Sequence, residues 1–130
     1  QFFANLVINA ISRNDASSEV LYDHIQTTWD VFTDEFSKLW GTESVEFFTN
    51  TSGYLPYVFQ TILEDAIGYA GCELIRRTIG LAHVADLDGI EVLDERITAK
   101  KTVLKLGRDY ILNRANISSI EQFIEVAKQQ

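Results

Sequence analysis

Cysteine, proline and glycine are all scarce in this sequence, and each scarcity narrows what the chain can be. Cys72 is the only cysteine in 130 residues, so no intrachain disulfide can form and a reducing, cytoplasmic setting is the expectation. One proline and seven glycines leave few places for long irregular loops and point to helices with short connections. No apolar run approaches the length of a membrane span. The apolar start from Phe2 to Ile11 has no basic leader and no small-residue cleavage site, so it does not read as a signal peptide. Positive charge is also in short supply, with 11 Lys and Arg against 19 Asp and Glu, a net charge of −8. Such a surface repels phosphate backbones and suits no basic membrane-surface helix, so neither nucleic acid nor a membrane is expected as a partner.

Catalytic signatures are missing too. The sequence holds no GxxxxGK[ST] loop, no Gly-rich turn between strands and no histidine-containing catalytic loop with a base Asp and a metal-binding Asn. HExxH, CxxC and GxSxG are likewise absent. No catalytic residue and no metal ligand are assigned.

What is present is one globular core. Hydrophobic residues make up 46% of the chain and charged residues 23%, ordinary proportions for a folded domain over residues 1–130. Phe2, Phe3, Leu6, Val7, Ala10 and Ile11 recur at helical steps up to about Arg13. Asn14 to Ser18 break the pattern and offer caps, with Glu19 at the positive end of the next helix. Leu21, Ile25, Trp29, Phe32, Phe36 and Leu39 continue it as far as Gly41. Val45, Phe47 and Phe48 suggest a short helical turn before a loop at Asn50 to Gly53. Pro56 suits the first turn of a helix carried by Phe59, Ile62, Leu63, Ala66, Ala70 and Leu74, which Gly80 would end. A short helix within 81–88 and a turn at Gly89 follow. A helix from about Asp94 to Leu112 would turn Ile97, Val103, Leu104, Gly107 and Ile111 inward. Ser118 and Glu121 have capping-box spacing before a last helix. No strand pattern and no repeat appear, so the predicted fold is all-α.

Arg76 and Arg77 are the sharpest local feature. On a helical wheel with Phe59 at zero, Arg77 returns to about 0°, mid-stripe, and Arg76 falls at roughly 260°, on the flank. A buried arginine keeps its charge and needs carboxylates, carbonyls or an anion. Two readings stay open: an ion pair tying this helix to a neighbour, or donors lining a polar ligand pocket. Gly68 and Gly71 weaken the same helix and suggest close helix–helix approach. His83 with Asp86 lacks a third ligand or a nucleophile and reads as structural. His24 lies among polar residues and reads as solvated. Cys72 reads as a small buried hydrophobe. Trp29, Phe32, Phe36 and Trp40 read as core, with any surplus facing a partner surface.

The stretch from Tyr69 to Asp86, YAGCELIRRTIGLAHVAD, resembles a signature of the 5-methylthioribose kinases. Phe2 to Asn9 and the helix with Leu104, Gly107, Arg108 and Ile111 are similar to flanking regions of that family. The resemblance implies the helical subdomain of a protein-kinase-like C-terminal lobe, a C-terminal fragment of a larger kinase. It implies phosphorylation of 5-methylthioribose in methionine salvage, with ATP and Mg²⁺ held by preceding segments, no cofactor in this chain, and a homodimeric enzyme. By the same resemblance Arg76 and Arg77 match an arginine pair at the substrate site. The uncapped apolar start at Gln1 is what a segment of a longer protein would show. Two alternatives stand beside this reading: a related aminoglycoside- or choline-type kinase, and a free-standing helical interaction module.

Overall fold

The computed structural model describes residues 1–13, 15–81 and 84–130. Six α-helices and no strand occur among the described residues, as the helical periodicity and scarce breakers lead one to expect. They are α1 (Phe2–Arg13), α2 (Ser18–Glu43), α3 (Tyr54–Ile79), α4 (Ala85–Asp88), α5 (Leu93–Asn113) and α6 (Ile120–Lys128), with a 3-10 turn at Arg114–Asn116 before the last. No described helix is long and apolar enough to cross a membrane.

α1 lies at the centre, in contact with α2, α3, α4 and α5. Ala4 and Ile8 are therefore buried along with Val7 and Ala10, which widens the expected stripe, while Phe2 at the helix start is exposed. The broadest contact in the molecule is between α3 and α5, which run antiparallel. Glycine makes it possible. A Cβ on Gly71 would lie 2.6 Å from the Gly107 carbonyl oxygen, and one on Gly107 would lie 2.9 Å from that of Gly71. The close approach expected at Gly71 is thus a reciprocal glycine crossing. Gly68 instead makes room for the Arg114 side chain, 3.2 Å from where a Cβ would sit.

Several helix ends differ from expectation. α2 runs through Gly41 to Glu43, because one glycine costs a helix only ~1 kcal/mol and an established helix absorbs that. Residues 46–51 form successive turns, Thr49 N–H to Glu46 and Thr51 N–H to Phe48, and not a helix. Gly53 has a φ of 82°, the left-handed conformation that lets the chain enter α3 directly. Gly80 ends α3 in an extended conformation, its N–H bonded to the Arg76 carbonyl. The capping box of α6 is displaced by one residue. Ser119 accepts from the Gln122 N–H, and the Gln122 side chain accepts from the Ser118 N–H at 2.8 Å. Asn14, a cap candidate of α2, lies outside the described residues; Asp15 takes up the Ser17 N–H at 2.8 Å.

The aromatic row on α2 is half-buried: Trp29 packs against the central core, as expected, while Phe32, Phe36 and Trp40 lie beyond it. Phe32 and Phe36 pack edge-on against Phe59 of α3, at 6.2 and 5.5 Å between ring centres, and Trp40 lies 6.0 Å from Tyr54. The long α2 and α3 thereby form an arm joined by rings. Its outer side exposes Val31, Leu39, Phe47 and Tyr57, so Leu39 is not the core residue its spacing suggests. On α5 the buried set is Ala99, Val103, Leu106, Gly107 and Tyr110; Ile97 is exposed, and Leu104 and Ile111 are half-buried.

Candidate functional site

The buried stripe of α3 runs through Leu63, Ile67, Ala70, Gly71, Leu74 and Thr78. Taking Leu63 as zero, its centre lies near 30° on an ideal wheel, which puts Arg77 about 70° to one side and Arg76 nearly opposite. Phe59 is only half-buried, so a wheel referenced to it rotates the stripe toward Arg77. The structure follows the corrected wheel. The Arg77 side chain is 14% exposed and that of Arg76 is 53% exposed. Cys72 falls at about 180°, which is why it is exposed and not a buried hydrophobe.

Each arginine is held by its own carboxylate. Arg76 makes a two-pronged contact with Glu73, Nε to Oε2 at 2.8 Å and Nη2 to Oε1 at 2.7 Å. These charge-assisted bonds hold the Glu73 carboxyl below the usual carboxylate range and raise Arg76 further above its own. Arg77 reaches across to α4, where its Nη2 donates to Asp86 Oδ2 at 3.2 Å. Its Nε is buried and has no hydrogen-bond acceptor among the described residues. Both arginines also lie in the last turn of α3, where a cation meets the negative helix end favourably.

The two side chains leave the helix in different directions. Arg76 and Glu73 line a cleft of about 640 Å³ walled by Phe2, Phe3, Tyr69 and Cys72, so an apolar groove meets a charged rim. Arg77 does not line this cleft and instead ties α3 to α4. The ion-pair reading of the arginines thus describes Arg77 as it stands, through Asp86. Glu73 is the residue that sequence reasoning gave no role; its signal was the three-residue spacing to Arg76, which puts the two on one helix face. His83, read as the companion of Asp86, lies outside the described residues, as does Ala82. Among the described residues no three of His, Cys, Asp and Glu are grouped as a metal site requires.

Sequence comparison gives this geometry a context. No protein-family model matches the chain. Individual relatives do, and all those compared below are named as kinases. More particularly, the chain is 56% identical over 123 residues to the methylthioribose kinase of Geobacillus kaustophilus, a match covering 95% of the chain and 31% of that relative. It is 56% identical over 122 residues to that of Geobacillus thermodenitrificans, with 94% of the chain and 31% of the relative covered. With that of Bacillus mycoides it shares 51% identity over 129 residues, 99% of the chain and 33% of the relative. The resemblance carried by residues 69–86 therefore holds over nearly the whole chain. The chain spans about a third of the length of the curated relatives it matches.

Proposed function

We propose that this chain is the C-terminal, substrate-positioning part of a kinase that phosphorylates 5-methylthioribose at its anomeric hydroxyl, giving 5-methylthioribose 1-phosphate in methionine salvage. The observation that supports it is the identity of 51–56% to methylthioribose kinases along 94–99% of the chain. In this reading Arg76 and Arg77 donate to oxygens of the sugar, orienting the acceptor and balancing charge on the transferred group. Donors that the bonds to Glu73 and Asp86 do not use suit that role: Nη1 of Arg76 and, unpartnered among the described residues, the buried Nε of Arg77. This reading assigns ATP and Mg²⁺ to parts of the longer protein outside this chain. The same reading makes the enzyme a cytoplasmic homodimer, with exposed side chains such as Val31, Leu39, Phe47 and Tyr57 available to an interface.

The test is steady-state phosphorylation by the longer protein that carries this chain, with methylthioribose, choline and an aminoglycoside as competing acceptors. Methylthioribose is expected to be phosphorylated with by far the highest kcat/KM. A preference for choline or an aminoglycoside would replace this reading with its alternative.

A further inference from the structure

The Glu73–Arg76 pair has an odd position for a structural brace. Both residues sit on α3, one turn apart, so the pair joins no two elements. Arg77 and Asp86, by contrast, bridge α3 and α4. An exposed pair within one helix adds little to folding stability, and confining a long arginine to one geometry costs side-chain entropy. Yet the contact is two-pronged, and Glu73 is itself only 14% exposed, wedged at the rim of the apolar cleft. A carboxylate so placed consumes the Nε edge of the guanidinium. It leaves Nη1 and the second N–H of Nη2, a forked pair of donors, for acceptor oxygens in the cleft.

We propose that Glu73 is a positioning residue for Arg76, holding one edge of its guanidinium so that the other edge is presented to the oxygens of a small ligand bound beside Phe2 and Tyr69. This rests on the reading of Arg76 as a substrate-binding residue. The apolar walls of Phe2, Phe3, Tyr69 and Cys72 next to that donor edge fit a ligand with one apolar substituent and several hydroxyls. Losing Glu73 would leave Arg76 charged but free to swing, which weakens orientation of the acceptor without removing the donor.

The experiment uses the longer kinase and the substitution Glu73→Gln, which keeps the shape and removes the charge and one acceptor oxygen. The kcat/KM for methylthioribose is expected to fall roughly tenfold, with the KM for ATP and the melting temperature unchanged. In an Arg76→Met background the same substitution should change kcat/KM by less than about twofold, because its effect runs through Arg76. Full efficiency in Glu73→Gln, or an equal loss in both backgrounds, overturns the proposal. So does a lowered melting temperature with intact kinetics, which assigns Glu73 to the fold. Absence of methylthioribose turnover by the wild-type enzyme overturns the functional reading as well; an active enzyme indifferent to Glu73→Gln overturns this inference alone.

Discussion

Arg77 brings five N–H donors into a largely enclosed place, where, among the described residues, Asp86 accepts from one nitrogen and the buried Nε has no acceptor. Arg76 stands one residue before it, half-exposed, with its Nε edge already taken by Glu73. The two should therefore respond differently to the same replacement. In this chain, Arg77→Met should lower stability by about 1–3 kcal/mol, because it strips the partner from a half-buried carboxylate. Arg76→Met should leave the thermal melt nearly unmoved. In the longer kinase both replacements should cut kcat/KM by roughly one to two powers of ten, and Arg→Lys should fail nearly as badly because it loses the planar fork. Wild-type efficiency in a folded Arg76→Met enzyme would remove that residue from the substrate site. Neighbouring positions on a helix differ by about 100°, so the two side chains leave α3 in different directions and would approach a sugar from different sides.

At the scale of elements, the crossing of α3 and α5 depends on two glycines with no room for a methyl group. Gly71→Ala would set a carbon against the Gly107 carbonyl and the Ile111 side chain, at 2.6 and 2.8 Å, and the antiparallel pair would have to part. Overpacking of this kind costs about 1–3 kcal/mol, more than the gain in helix propensity returns. The same replacement at Gly41, inside α2 with nothing within 4 Å, should stabilise by about 0.5–1 kcal/mol. Denaturant unfolding of both variants checks the pair of opposite signs. Gly71 was legible as a contact point, since a glycine inside a good helix needs a reason. Gly107 was expected to face inward and does, but its pairing with Gly71 was not legible, because nothing local to either helix says which residues meet across the crossing.

For the whole molecule, acid should be destabilising through a particular carboxylate. Glu121, held down first by its bond from Ser119, binds a proton less readily in the folded chain. The unfolded chain then takes up more protons as pH falls. Its contribution is complete above the ordinary carboxylate range and is lost as pH drops through the depressed folded value. Melting curves from neutral pH to below pH ~4 should show a decline that Glu121→Gln flattens. The chain by itself is also expected to show no ATP-dependent phosphorylation of methylthioribose. Phosphoryl transfer needs a nucleotide cradle, a base and positioned Mg²⁺, and the sequence carries none of the motifs that supply them. Turnover by the purified chain, free of contaminating kinase, would contradict this.

The sequence alone determined the all-helical class, the rough span of each long helix and the likeness to methylthioribose kinases. Those follow from periodicity, breakers and residue identity, which are local or cumulative properties of the chain. Only the tertiary structure decided that α1 is enclosed on several sides, that the aromatic arm stands off the core, and that Cys72 faces solvent. It also decided that Arg77 answers to Asp86, nine residues on, while Arg76 answers to Glu73. The physical reason is that a helical wheel fixes directions relative to one another, but the zero of the wheel is set by where neighbouring helices pack. On α3 that zero is the glycine crossing with α5, which rotates the buried stripe away from Phe59 and leaves one arginine in the wall and the other at the rim of a cleft.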